Sequence, residues 1–149
     1  MSEEKKIVSI SDYNIYEFVI PNFRYRELHC KGCFQEGKKY FVRDESFLYR
    51  LGLLRKSLNL PIIVVSGVRC PLHNTKVGGH EKSGHLTGEA IDFYIRDYSV
   101  KEIYLKLEHY SFFSGVGLYP DERIRFIHID TIDRIQRWVK RNGKYFYLF

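Results

Sequence analysis

The stretch Ser83-Gly-His-Leu-Thr-Gly-Glu-Ala-Ile-Asp-Phe-Tyr-Ile-Arg96 decides the fold. Its second half, residues 89–96, reads as a strand. Alternation puts Ala90, Asp92 and Tyr94 on one face and Ile91, Phe93 and Ile95 on the other. The apolar set faces a core, so Asp92 points away from it, beside a small alanine. Residues 124–131 repeat the pattern: Phe126, His128 and Asp130 share one face, Ile127 and Ile129 the opposite one. If the two strands are neighbours, Asp92 and His128 meet at one point. His85 lies just upstream, where Gly84 and Gly88 let the loop turn tightly and fold it back over Asp92. Such a set offers three N/O ligands and one open position, the arrangement of a catalytic zinc rather than of a closed structural one. Each piece alone also has an ordinary reading, His128 as a hydrogen-bonded structural residue and Asp92 as a turn cap.

Outward from this stretch, helices and strands follow one another. A helix is predicted from Asp44, which can cap it, to Asn59, before Pro61. Phe47, Leu48, Leu51, Leu54 and Leu58 recur there at helical spacing. Pro61-Ile-Ile-Val-Val-Ser66 is a β-branched run expected as a buried strand. Residues 67–88 hold five of the 11 glycines and are predicted as a long irregular segment with one helical turn after Pro71. Long loops of this kind usually carry function. Val100–Tyr110 reads as an amphipathic helix that can bury Ile103, Leu105, Leu107 and Tyr110. Residues 115–119 and 124–131 read as two more strands. Asn142-Gly143, between residues 137–141 and 144–149, predicts a type I′ hairpin. Upstream, residues 7–24 are expected as a short strand or irregular lead-in, and 28–42 as a loop or small hairpin. Helix, strands, helix and a strand meander give an α+β fold with a mainly antiparallel central sheet and helices packed on one face. One domain is expected over 1–149, with 1–42 as lead-in and 43–149 as core.

A chain of 149 residues suits that single domain. Apolar residues at 44% against 28% charged exclude wholesale disorder, and no run approaches the roughly 20 apolar residues of a membrane span. The start, Met1-Ser-Glu-Glu-Lys-Lys-Ile-Val-Ser-Ile-Ser11, lacks an apolar signal-peptide core, so no such leader is expected. The net charge of +6 resides almost wholly in residues 123–149. There seven basic residues (Arg123, Arg125, Arg134, Arg137, Lys140, Arg141 and Lys144) stand against Asp130 and Asp133. This reads either as a solvated cationic face or as a surface for an anionic polymer. Three cysteines are too few for a disulfide scaffold. Cys30-Lys-Gly-Cys33 admits a redox pair, half of a zinc knuckle or two small buried residues. His29 and Cys70 complete a mixed site only if folding brings them close.

Taken together, these residues resemble the zinc peptidoglycan peptidases. That family includes zinc D-Ala-D-Ala carboxypeptidases, vancomycin-resistance D,D-dipeptidases and phage L-alanyl-D-glutamate endopeptidases, and the Hedgehog signalling domain shares its fold. The resemblance rests on Ser66-Gly-Val-Arg-Cys-Pro-Leu-His-Asn74 and Ser83-x-His-x-x-Gly-x-Ala-x-Asp92, then Gly115-Val-Gly-Leu-Tyr-Pro120 and Phe126-Ile-His-Ile-Asp130. These occur in the family's order over roughly residues 45–140. The chain looks most like the compact, single-domain, carboxypeptidase-like branch of phages and bacteria. The resemblance implies a Hedgehog/D,D-peptidase-like fold with Zn²⁺ held by His85, Asp92 and His128. It makes Arg69 the family arginine that stabilises a developing oxyanion or holds a substrate carboxylate, a role that suits a permanently charged guanidinium fork. Ser83 becomes a residue that binds substrate or supports the site, and His73 and Asn74 braces of the loop. One departure stands out. Many relatives place an acid three positions before the last zinc ligand, or a histidine two or five before it, where this chain has Arg125, Phe126 and Arg123. Asp130 is then the first candidate for activating water or orienting a ligand, with a salt bridge to a nearby arginine as the alternative. Glu122 and His80 follow.

Three functions compete at this level. The first is a zinc-dependent peptidase, carboxypeptidase or endopeptidase, that cuts peptidoglycan stem or cross-link peptides, with the basic tail against anionic wall polymer. The second is a binding module that keeps fold and zinc without turnover, motivated by the missing base. The third is a nucleic-acid binder using Arg141, Lys144, Tyr145, Phe146 and Tyr147, disfavoured because no groove-reading or RNA motif is visible. A monomer is expected, made in the cytoplasm and acting on the cell wall, as a phage lysis or virion-associated enzyme would.

Overall fold

The computed structural model describes residues 6–8, as backbone alone, and 13–148. In chain order the elements are β1 (Lys6–Val8), β2 (Phe18–Ile20), β3 (Phe23–Arg24), α1 (Tyr25–Leu28), α2 (Lys31–Gln35), β4 (Phe41–Arg43), α3 (Glu45–Leu58) and β5 (Ile63–Ser66). Then come α4 (Pro71–Lys76), a 3-10 turn (Gly84–Leu86), β6 (Ala90–Tyr94), α5 (Val100–Leu107), β7 (Gly115–Tyr119), β8 (Phe126–Asp130), β9 (Gln136–Arg141) and β10 (Lys144–Tyr147).

Six strands form the main sheet in the order β10-β9-β7-β8-β6-β5, antiparallel except where β9 runs parallel to β7. The expected meander is therefore interrupted. Both edges of β8 are taken, by β6 and β7, so β9 joins the sheet on the far side of β7. Register follows from burial. Ile91, Ile129 and Val116 form one row across β6, β8 and β7, and Phe93, Ile127 and Leu118 the next. These rows pack against Phe47, Leu48, Leu51 and Leu54 of α3 and Val100, Ile103 and Leu107 of α5, so both helices cover one face. The opposite face carries the rung Ser66–Asp92–His128–Gly117–Trp138 across five strands. A β-bulge between Val64 and Ser66 bends the end of β5 beside that rung.

Local signals account for the element ends. The Asp44 carboxylate accepts the Phe47 amide at 2.8 Å as N-cap of α3, and Asn59 ends the helix in the left-handed region, φ 51°. Asn142 and Gly143, at φ 49° and 77°, make the type I′ turn between β9 and β10. Two expectations need correcting. Leu105 is 54% exposed, because two residues from Ile103 is about 200° of helical rotation, and Tyr110 lies beyond the end of α5 and is only partly buried. Residues 28–42 hold the end of α1, all of α2 and most of the strand β4 rather than an irregular loop or a hairpin. The lead-in also contributes Tyr13, Val19, Phe23, Leu28, Phe41 and Val42 to the same core cluster as the sheet. Residues 1–5 and 9–12, which cover most of the leader and part of the lead-in reading, fall outside the described residues, as does Phe149.

The packing sets an expectation. Leu54→Ala, which empties a fully buried position on α3, costs about 2–5 kcal/mol in urea denaturation. Leu105→Ala stays within about 0.5 kcal/mol.

Candidate metal centre

His85, Asp92 and His128 come together as their alternation and loop placement predict. One ligand-type atom from each lies within 4.8 Å of the other two. His128 Nδ1 is 2.9 Å and His85 Nε2 3.3 Å from Asp92 Oδ1, and the two imidazole centroids are 5.2 Å apart. Two strands place Asp92 and His128 as direct cross-strand partners. His85 arrives from the 3-10 turn, whose start is capped by Ser83: its hydroxyl accepts the His85 amide at 3.2 Å. Gly88, at φ 74°, lets the chain leave that turn and enter β6.

Hydrogen bonds behind the ligands orient their rings. His85 Nδ1 lies 2.7 Å from the Gly67 carbonyl, which can only accept, so Nδ1 carries a proton and Nε2 is the nitrogen that faces Asp92. His128 Nε2 faces Asp130 Oδ2 at 2.8 Å while its Nδ1 faces Asp92 Oδ1. A neutral imidazole has one N–H and cannot serve two carboxylates. Either a second proton or a cation must occupy the space between His85, Asp92 and His128. Zinc bonds of about 2 Å at tetrahedral angles put neighbouring donors about 3.3 Å apart. The observed spacings and the N, N, O donor set therefore fit such an ion.

Without metal the proton does that work. Burial disfavours a charged His128, but the hydrogen bonds to Asp130 and Asp92 outweigh it and push the imidazole up to about 9. Asp92, despite its burial, is held well below the usual carboxylate range by the two histidines. Asp130 is likewise held down against burial by His128 and by Arg134.

Asp130 is fully buried with both oxygens engaged. Arg134 grips it with two bonds, at 2.6 and 2.9 Å, the Ile132 amide donates at 3.2 Å, and His128 takes the remaining direction. Arg69 reaches the site from the turn after β5. Its Nη2 is 3.4 Å from Asp92 Oδ2, while Ser66 Oγ and Asn74 Oδ1 accept from the same guanidinium at 3.2 and 3.3 Å. Asn74 also donates to the His80 carbonyl, tying the glycine-rich loop to Arg69. Glu122 pairs with Lys140 at 3.5 Å and His80 Nδ1 accepts the Lys82 amide at 3.0 Å; neither joins the three-donor cluster.

Some participants carry little sequence signal. The Gly67 carbonyl is a backbone group, and Arg134 is told from six other basic residues of the tail only by its i, i+4 distance from Asp130. Trp138 lies over Gly117, where a Cβ would be 2.4 Å from its ring, and its ring stands 5.4 Å from that of His128. Its Nε1 donates to the Tyr119 hydroxyl at 3.0 Å, and Tyr119 stacks on Phe126 with centroids 4.5 Å apart. One side of the centre is thus aromatic. The cationic tail is partly neutralised: Arg134, Arg137, Lys140 and Arg141 pair with Asp130, Glu108, Glu122 and Asp121.

The α+β sheet thus carries a largely buried His, Asp, His cluster on the face opposite its helical core, a donor set that could hold a metal ion. A family model described as Peptidase M15 matches residues 21–130, and the chain belongs to the peptidase M15 family, whose members are zinc-dependent metallopeptidases. No curated protein and no solved structure matches it. No helix among the described residues is long and apolar enough to cross a membrane.

The raised imidazole sets a pH dependence for the metal-free protein. A folded value of about 9 for His128, above the unfolded value of about 6.5, adds stability that is complete below about pH 6.5 and is lost as pH rises through about 9. Denaturation of chelated protein between these limits shows the decline, and His128→Gln flattens it. Zinc affinity rises with pH over the same range as the competing proton leaves.

Proposed function

We propose that the chain is a zinc metallopeptidase that cleaves amide bonds in the stem or cross-link peptides of peptidoglycan, with the ion held by His85 Nε2, Asp92 Oδ1 and His128 Nδ1. The observation that carries this reading is the convergence of those three donors within 4.8 Å, with the other ring nitrogen of each histidine held by the Gly67 carbonyl or by Asp130. A zinc ion there supplies a Lewis acid for the scissile carbonyl and activates water for attack.

The chain's own residues do the rest. The Gly67 carbonyl and Asp130 fix the rings of His85 and His128 and keep the proton on the nitrogen that faces away from the metal. Arg134 holds Asp130 ionised, so Asp130 is a positioning residue and not a base. Arg69, braced by Ser66 and Asn74, offers a charged fork to the oxyanion or to a substrate carboxylate. Ser83 supports the site through the His85 amide. The aromatic side formed by Trp138, Tyr119 and Phe126 excludes water and gives the peptide an apolar surface. With much of the tail's charge paired, the peptide, rather than an anionic polymer, is the ligand this site is built for. We further propose a single domain that acts as a monomer on the cell wall.

Zinc-loaded protein is expected to release D-Ala or new amino termini from purified muropeptides, read by mass spectrometry, and chelation abolishes the release. His128→Ala removes activity, and a fully active His128→Ala protein contradicts the ligand assignment. Zinc binding without any product over a panel of wall chemistries instead favours a binding module. Arg134→Ala lowers activity or zinc affinity about 10–100-fold, and Arg69→Ala lowers turnover about 10²–10³-fold.

A further inference from the structure

A second cluster of soft ligands stands apart from the histidine–aspartate centre. Cys30 and Cys33 flank the start of α2, Cys70 lies 40 residues from Cys30 just before α4, and the three sulfurs lie within 4.8 Å of one another as free thiols. His29 does not take part. Its ring turns to Tyr13, with Nδ1 3.4 Å from the hydroxyl, and to Phe34, at 5.0 Å between centroids.

The surroundings suit thiolates. The Cys70 amide donates to Cys30 Sγ at 3.3 Å and the His73 amide to Cys70 Sγ at 3.4 Å, so backbone dipoles already point at two of the sulfurs. Three thiols in this space cannot all ionise unless a cation neutralises them. The turn between Cys30 and Cys33 is also firmly placed. The Lys31 ammonium donates to the Val64 and Val65 carbonyls at 3.0 and 3.1 Å, and the Val68 amide to the Leu28 carbonyl at 2.8 Å. Gly32 admits the His73 ring where a Cβ would lie 2.2 Å from its Nδ1.

We propose that Cys30, Cys33 and Cys70 bind a Zn²⁺ as thiolates, with water in the fourth position. The three protons leave to solvent as the ion binds, and no redox step is involved. Such an ion clamps the turn that carries Arg69, the residue before Cys70, to the N-terminal helices. It fixes the Arg69 guanidinium beside Asp92 without touching the reacting groups.

Zinc content and cobalt spectroscopy test this, and both read the cysteine site independently of activity. Purified full-length protein is expected to hold a second equivalent of zinc beyond that of the histidine centre. That equivalent persists in a His85→Ala/His128→Ala variant and disappears in Cys33→Ser, whose substitution lies at the least buried of the three cysteines. Titration of chelated wild-type protein with Co²⁺ shows a near-ultraviolet sulfur-to-cobalt charge-transfer band. This band remains in the double-histidine variant and is lost in Cys33→Ser. Loss of all zinc and of that band in the double-histidine variant overturns the proposal. So does wild-type protein that takes up Co²⁺ with no sulfur band, or protein isolated two hydrogens lighter with a disulfide among these cysteines. Failure of the cysteine site leaves the histidine centre's zinc and activity in place, so the two conclusions fail separately.

Discussion

Asp92 and His128 stand opposite each other on adjacent antiparallel strands because Ile91, Phe93, Ile127 and Ile129 are buried on the other side of the same two strands. Side chains alternate along a strand, so a slip of one residue would bring Asp92 and His128 into the core and expose the four apolar residues. The core thereby specifies the candidate metal centre. The helices α3 and α5 cover the apolar face, and that coverage leaves the polar face free for loops and ligands. His85, Arg69 and Trp138 all depend on this arrangement, since each reaches the Asp92–His128 rung from an element anchored to the sheet.

The polar face then has an electrostatic requirement of its own. Two buried carboxylates, Asp92 and Asp130, flank one imidazole. Arg134 balances Asp130 through a two-bond contact, and Arg69 borders the outer oxygen of Asp92. What is left over is a carboxylate oxygen between two imidazole nitrogens, a place that a proton or a divalent ion can fill. The glycines of β7 make room for this layer. A Cβ at Gly115 would sit 2.4 Å from both Asp130 carboxylate oxygens, and one at Gly117 would meet the Trp138 ring.

Much of this was legible in the chain itself. Alternation in residues 89–96 and 124–131 placed Asp92 and His128 on the polar face, the Asp44 cap and Asn59 stop bounded α3, and Asn142-Gly143 marked the hairpin. These signals are local, involve strong propensities and repeat over several residues. The rest was not local. The α1 and α2 helices are four and five residues long and owe their form to tertiary contacts, such as the Cys30 amide with the Tyr40 carbonyl and the burial of Leu28. The parallel pairing of β9 with β7 depends on which edges other strands have already filled. The Gly67 carbonyl has no side chain to announce it. Asp130 was read as a base or an orienting group, with a salt bridge to a nearby arginine as the alternative; that Arg134 is the arginine, and that it grips both oxygens, shows only when the chain turns back after β8. Cys70 joins Cys30 and Cys33 through a contact no spacing rule could supply.

The most direct test of the account is X-ray diffraction from zinc-loaded crystals at the zinc absorption edge. The expected result is an anomalous peak bonded to His85 Nε2, Asp92 Oδ1 and His128 Nδ1, with Nδ1 of His85 still on the Gly67 carbonyl and Nε2 of His128 still on Asp130. Absence of a peak at those three donors in zinc-loaded protein, or a zinc there bound through other residues, would contradict it.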